Sequence, residues 1–270
     1  MWLQRAPEEI VNIDVPVKDD KSPHGYKFQP YPLIYPHDLI SHLFNDVGIS
    51  MSAEAVRQYW VHAKSTGEPW ALDGPDDTSF IPVGFYGDGA RLATVYKTEK
   101  LIGLWVNLPL WRPKSTRASR WMVFSILADK LFKDHTLNHV LKHLLWSFWC
   151  LYSGEIPSRG PFGGDLPKHM SGREGEQLIK ERKLRFIVTE YRGDWEWHRD
   201  LWHVRNCSWV GINIGVCFKC GAMSKGAWNN AHYNTDENTV WAATEFSKEE
   251  FMELRQPDRW LCRLSVAKFP

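Results

Sequence analysis

The order of apolar segments in the middle of the chain constrains the fold more than any other feature. Three short segments rich in β-branched and aromatic residues have the pattern of strands, although the third also fits the first turns of a helix. They begin at Phe80, Leu101 and Trp121. Residues 136–152 have apolar side chains at helical spacing, and residues 184–191 again have a strand pattern. A helix between two strands of one sheet favours a parallel crossover, so we predict an α/β fold with a mixed sheet and flanking helices.

The N-terminal part of the chain has a different pattern. Residues 1–36 contain six prolines and little periodicity, which predicts an irregular arm. Two amphipathic helices are expected next, one from Pro36 and one after Ser52, which is a suitable N-cap residue. We therefore predict an irregular arm plus helices over residues 1–75, a core over 76–206, and a Cys- and His-containing segment with a terminal helix over 207–270.

Local signals predict where three helices begin or end. Gly154 is a suitable C-terminal stop for the long helix. A short helix is expected over residues 174–183. Ser247 and Glu250 have the spacing of a capping box, which opens the terminal helix.

Charge and hydropathy exclude several classes of protein. The 33 Lys and Arg residues balance 32 Asp and Glu residues, which argues against a chain that coats nucleic acid with a basic surface. No segment approaches the roughly 18 uninterrupted apolar residues of a membrane span. The first residues lack the pattern of a signal peptide, and the five cysteines are an odd number without disulfide-like spacing. These features predict a nuclear or cytoplasmic protein with reduced thiols, not secreted and without a membrane partner.

Two aspartates follow predicted strands. Asp88 comes after the first strand and Asp194 comes after the last. If these strands are parallel neighbours, both carboxylates lie at one edge of the sheet, where they could hold a pair of Mg²⁺ ions for phosphodiester cleavage. Two simpler interpretations stay open. Asp88 followed by Gly89 is a strong hairpin-turn signal, and Asp194 could be the N-cap residue of a helix that begins at Trp195.

Several short motifs support the first interpretation, because together they resemble the first half of a DDE transposase core of the Plavaka type, related to the CACTA elements. The motifs are Ile-Pro-Val-Gly-Phe-Tyr-Gly-Asp-Gly-Ala at 81–90, Leu-Ile-Gly-Leu-Trp-Val-Asn-Leu-Pro at 101–109, the linker at 111–120, Arg-Phe-Ile-Val-Thr-Glu-Tyr-Arg-Gly-Asp at 185–194, and the Cys217-x-x-Cys220 pair. The resemblance covers residues 75–225 and implies a ribonuclease-H-like fold. It also implies that Asp88 and Asp194 are the first two acids of a catalytic triad.

The sequence departs from this family where the third acid is expected. Such cores place it on a helix far downstream, after an insertion, whereas this sequence ends at Pro270. None of the nearby glutamates, at positions 245, 249, 250 and 253, matches the motif. We therefore expect a partial ribonuclease-H-like domain that is inactive as it stands. Two other classes compete with this interpretation: a non-catalytic module that binds DNA or protein, and a zinc-stabilised structural protein.

The Cys217-x-x-Cys220 pair has the spacing of a zinc knuckle, because two thiolates two residues apart can reach one tetrahedral ion. Cys207 and His203 are candidates for the remaining ligands, with His198 and His232 as alternatives. We expect a structural Zn²⁺ site, and the competing interpretation is a pair of ordinary reduced cysteines.

Basic residues between the second and third predicted strands are candidates for DNA contacts. Arg112, Lys114, Arg117 and Arg120 occur there without an intervening acid, and such a cluster can contact phosphates. The alternative is a solvated surface loop.

Three histidines, at positions 135, 139 and 143, recur on one face of the long helix. An exposed helix face is the favoured interpretation, ahead of a metal site.

Overall fold

The computed structural model describes residues 10–67, 69–72, 74–75, 78–91, 100–115, 118–179, 183–194, 197–198, 244, 247 and 250. The chain divides into two compact units, residues 1–192 and 193–270. The helices and strands below belong to the first unit, apart from the last residue of its final strand. None of the helices in these described ranges combines the length and the apolar character that a membrane span requires.

Residues 11–33 form a β-hairpin, so the prediction of an irregular arm is wrong for them. Strand β1 (Val11–Lys18) pairs antiparallel with β2 (Tyr26–Leu33). Pro16 lies in β1, and Pro30 and Pro32 lie in β2. Each strand of a two-stranded sheet is an edge strand, where a residue without an N–H group is tolerated. The prolines therefore did not prevent strand formation here.

Four strands form the main sheet, in the order β5-β4-β3-β6. Their bounds are β3 (Phe80–Arg91), β4 (Lys100–Asn107), β5 (Arg120–Leu127) and β6 (Arg185–Gly193). β3 pairs antiparallel with β4, and β4 pairs antiparallel with β5. The segment beginning at Trp121 is thus part of a strand, which decides between the two interpretations that its sequence allowed.

β6 runs parallel to β3, so the sheet is mixed as predicted. The Arg185 N–H donates to the Ser79 carbonyl oxygen at 2.8 Å, which joins the beginnings of the two strands. Further along, the rings of Phe85 and Tyr191 lie 6.3 Å apart. Contacts therefore occur in the same order along both strands, which requires a common direction. The carboxyl ends of β3 and β6 accordingly lie at the same edge of the sheet.

Four α-helices of the first unit are described over their whole length: α1 (Pro36–Asn45), α2 (Ala53–Ser65), the single turn α3 (Pro69–Leu72) and α4 (Lys133–Ser153). The predicted cap of α2 is confirmed, because the Ser52 hydroxyl accepts a hydrogen bond from the Ala55 N–H at 2.9 Å. The predicted stop of α4 is also confirmed, because Gly154 adopts the left-handed conformation with φ 81°. α4 packs on the sheet through Phe148, whose ring lies 5.8 Å from that of Phe85, and it also contacts α1 and β1.

The helix predicted for residues 174–183 is wrong over its described part, residues 174–179. Gly175 has φ 77°, which interrupts a right-handed helix. The backbone hydrogen bonds of this segment join the residues after α4 instead: the Gly175 N–H donates to Ile156 and the Leu178 N–H donates to Gly154. Pairing with a distant segment thus replaces local helical bonding.

Candidate functional site

Asp88 lies inside strand β3, opposite Gly103 of β4. The interpretation of Asp88-Gly89 as a hairpin turn is therefore wrong, because the antiparallel pairing continues beyond it to Arg91. Both carboxylate oxygens accept hydrogen bonds: Oδ2 from the Tyr86 hydroxyl at 2.6 Å and Oδ1 from the Gly89 N–H at 2.7 Å. The carboxylate is partly exposed and is held in one orientation by these two donors.

Aromatic and basic side chains surround Tyr86, which orients Asp88. The ring of Trp105 lies 5.4 Å from that of Tyr86, and the Arg120 guanidinium lies 5.3 Å from the centre of the Tyr86 ring. A side chain at Gly103 would overlap the Trp105 ring. The absence of a side chain at Gly103 therefore allows the indole to lie across β4 beside Asp88.

Asp194 follows β6 directly and belongs to the second unit. Its Oδ1 accepts a hydrogen bond from the Trp197 N–H at 2.7 Å, and its carbonyl oxygen accepts from the His198 N–H at 3.1 Å. This is N-cap geometry, so the alternative interpretation of Asp194 as a helix cap is confirmed. A carboxylate in this role keeps acceptor positions on its second oxygen.

Two members of the predicted basic cluster lie in the connection between β4 and β5. Arg112 and Lys114 are exposed there, whereas Arg120 is the first residue of β5 and contacts Tyr86. Arg117 lies outside the described residues. Arg120 is thus the member that the fold brings towards Asp88, and the pattern of positive charges alone did not single it out.

The predicted zinc ligands Cys217, Cys220, Cys207 and His203 all lie outside the described residues. Within the described ranges, no group of three or more His, Cys, Asp or Glu side chains is arranged to hold a metal ion.

Two of the three histidines on α4 are partly buried, so the prediction of an exposed face is wrong for them. His139 and His143 lie with ring centres 5.4 Å apart, and Nδ1 of His143 is 2.9 Å from the Tyr35 hydroxyl. Burial and, to a smaller extent, the neighbouring His139 together lower the pKa of His143 to about 4. His135 is exposed as predicted.

A buried polar pair joins α1 to α4, and no sequence pattern pointed to it. The Ser147 hydroxyl accepts a hydrogen bond from the His37 N–H at 3.0 Å and lies 2.8 Å from Nδ1 of the same histidine. Both side chains have no exposed surface. Asp38 lies on the other side of the ring, with Oδ1 3.5 Å from Nε2. Because Ser147 is inaccessible, this arrangement supports the packing of two helices and is not a nucleophile site.

Comparisons with known proteins add no assignment to this geometry. A scan against models of known families finds no match, and searches of curated proteins and of solved structures find none either.

Proposed function

We propose that this chain contains a transposase-derived, ribonuclease-H-like domain whose chemistry is metal-dependent contact with DNA at the carboxyl end of β3, where Asp88 lies. The observation that carries this proposal is the parallel pairing of β3 with β6. Asp88 lies near the carboxyl end of β3, at the edge where α/β sheets place ligands. Asp194 follows β6 in the sequence.

The strand order supports the fold assignment. Three consecutive antiparallel strands are followed by a long helix and by a strand that pairs beside the first of them. This is the arrangement that the resemblance implies for the first half of a ribonuclease-H-like core.

Asp88 has the donor chemistry that Mg²⁺ prefers, namely carboxylate oxygens in a partly exposed position. Each oxygen accepts one hydrogen bond and keeps a further lone pair for a cation or its water. When bound, such an ion would neutralise phosphate charge at the strand edge. Tyr86 and Gly89 fix the carboxylate in place, and Arg120 adds a positive charge nearby.

We propose that these residues bind a divalent ion and DNA but do not cleave it, because no residue is assigned as the third acid of a catalytic triad. Among the candidate third acids, Glu250 forms a reciprocal capping box with Ser247, at 2.8 and 3.1 Å, which accounts for its position. A DNA partner is consistent with a nuclear or cytoplasmic location.

The test is a calorimetric Mg²⁺ titration of the wild-type protein and of the Asp88→Asn variant. Asparagine keeps the shape and one acceptor oxygen but removes the charge, so we expect folding to be retained and Mg²⁺ binding to be lost. Asp129→Asn is the matched control, because Asp129 is an exposed acid in the turn after β5. Equal Mg²⁺ binding by the wild type and by Asp88→Asn would contradict the proposal.

A non-catalytic DNA-binding module is the second candidate, and the capping role of Asp194 favours it. In that case DNA binding should weaken with salt and should not need Mg²⁺. Replacing Arg112 with alanine should reduce the slope of log affinity against log salt by about 1 if this exposed residue contacts a phosphate. An unchanged slope in a fluorescence-anisotropy titration would remove Arg112 from the interface.

We also propose a structural Zn²⁺ site at Cys217 and Cys220, completed by Cys207 and His203. Thiolates and imidazole are the donors that zinc prefers, and a closed site of this kind would stabilise the folded chain. Cys217→Ser should lower both the zinc content by elemental analysis and the melting temperature. If the purified wild-type protein contained no zinc, this part of the proposal would be contradicted.

A further inference from the structure

A large cleft lies in the first unit, away from Asp88. Its volume is about 1020 Å³, which is at the upper end of the range of roughly 300–1,000 Å³ for small-molecule sites. It is bounded by β1, by α4 and by the segment 161–169. Six aromatic or imidazole rings line it: Phe28, Tyr35, His139, His143, Phe162 and His169. A concave surface with so many rings is suited to a ligand that stacks.

Phe162 occupies an unusual position at this cleft. Its φ of 62° and ψ of 13° place it in the left-handed region, and it is the one non-glycine residue with positive φ among the described residues. The residue is nevertheless 55% exposed, while its ring lies 5.0 Å from that of His139, 5.1 Å from that of His143 and 5.2 Å from the Lys142 ammonium. A bulky side chain in a strained backbone and left largely exposed gains little from core packing. Such outliers concentrate at ligand clamps.

The two imidazoles beside Phe162 are uncharged at neutral pH. Burial is the main cause that lowers the pKa of His143 to about 4, and burial followed by the charge of Lys142 lowers the pKa of His139. Each neutral ring has a flat apolar face, while one nitrogen of His143 contacts the Tyr35 hydroxyl and His139 hydrogen-bonds to the Asp14 backbone, which leaves one nitrogen of each ring for a ligand. The lining therefore combines stacking surfaces with hydrogen-bonding groups.

β1 contributes main-chain groups to the same cleft. The Thr136 hydroxyl donates to the Pro16 carbonyl oxygen at 2.6 Å, so the backbone of Pro16 faces α4 and not β2. Because strand residues alternate in direction, Asp14 and Asn12 also direct their backbone groups to this outer side, and both line the cleft. The Asp14 carbonyl oxygen accepts a hydrogen bond from the His139 ring, so the backbone groups of Asn12 and the Asp14 N–H are the ones that can complement the edge of a heterocyclic base.

We propose that this cleft binds a planar heteroaromatic ring of the purine type, which stacks on Phe162 and hydrogen-bonds to the outer edge of β1. The carboxylates of Asp14 and Asp165 accompany the single ammonium of Lys168 in the lining, so the cleft does not favour a polyphosphate. The ring is that of a nucleoside or of an unpaired base in a single strand, since both present the same face and edge.

Calorimetric titrations with adenosine, with single-stranded oligo-dA and with choline test this proposal. We expect the wild-type protein to bind adenosine or oligo-dA saturably and not to bind choline. If only oligo-dA binds, the natural ligand of the cleft is an unpaired base within a single strand. If adenosine binds, a free nucleoside is sufficient to occupy the cleft. Choline binding without base binding would overturn the assignment of a heteroaromatic ligand, and so would the absence of binding to any of the three.

A pair of variants tests the role of Phe162. Phe162→Gly removes the ring and relieves the backbone, so folding should be kept while affinity falls by about tenfold, as expected for the loss of one stacking partner. Tyr152→Ala is the control, because Tyr152 is an exposed ring of α4 that does not line the cleft. Equal affinity of Phe162→Gly and wild type, or an equal loss in both variants, would refute the stacking role. Asp88→Asn should leave the affinity unchanged, so this result is separable from the metal proposal.

Discussion

Replacing Ser147 with alanine should destabilise the first unit strongly, because one hydroxyl satisfies two polar groups at the start of α1. The N-cap residue of α1, Tyr35, makes no side-chain capping bond. The His37 N–H is instead capped from α4 by the Ser147 oxygen at 3.0 Å, and the hydroxyl lies 2.8 Å from Nδ1. The one hydroxyl is therefore the hydrogen-bond partner of both the backbone N–H and the imidazole of His37.

The magnitude follows from burial. Ser147 and His37 both have no exposed surface, so neither group left by the substitution can reach water. A buried polar group without a partner costs about 1–3 kcal/mol, and the substitution leaves two such groups. We therefore expect a loss of about 2–6 kcal/mol from the free energy of unfolding, which is a large fraction of the total for most domains.

Urea unfolding monitored by circular dichroism measures this loss. Ser65→Ala is the matched control, because the Ser65 hydroxyl donates to the His62 carbonyl oxygen on the exposed surface of α2. We expect that control to change the free energy of unfolding by no more than about 0.5 kcal/mol. If Ser147→Ala were no more destabilising than Ser65→Ala, the reasoning from buried hydrogen bonds would be refuted.

Three further predictions concern pH and glycine. Burial lowers the pKa of His37 to about 4, so the unfolded chain binds the proton more strongly, and stability present at pH 7 should be lost as pH falls from about 6.5 to about 4. Urea unfolding at several pH values in that range should show that the free energy of unfolding rises with pH, and this dependence should be weaker in His37→Gln. Gly154→Ala places a side chain at φ 81° and should lower the free energy of unfolding by about 1 kcal/mol in the same assay. A variant more stable than the wild type would contradict the inference that a side chain is strained at this position. The methyl group added by Gly103→Ala would overlap the Trp105 ring, so this variant should lower the free energy of unfolding by about 1–3 kcal/mol. A melting temperature equal to that of the wild type would show that the indole can move aside without loss of stability.

The helix ends were predictable because their determinants are local. The Ser52 hydroxyl binds an N–H three residues away, and Gly154 adopts a left-handed conformation next to the last turn of α4. Neither feature depends on a distant part of the chain. The sequence patterns that predict strands are similarly local, and the four of them correspond to β3, β4, β5 and β6.

Features that depend on distant residues were not predictable in the same way. The prolines of residues 11–33 suggest an irregular segment, and only the pairing of β1 with β2 makes them compatible with a sheet. Asp88-Gly89 is a turn signal by itself, but pairing with β4 overrides it. The Ser147 cap joins residues 110 positions apart, which no local pattern encodes.

The buried polar side chains of the described residues explain why the N-terminal elements belong to the first unit. There are three: His37, Thr136 and Ser147. Thr136 binds the backbone of β1 at 2.6 Å, and Ser147 binds His37 of α1, so both buried hydroxyls of α4 hold elements outside the main sheet. α4 meets that sheet through the Phe148 ring. One helix thus uses apolar contacts towards the sheet and buried hydroxyls towards the hairpin and α1. Because a buried hydroxyl requires a partner in a defined position, these bonds fix the edge of β1 that borders the ring-lined cleft.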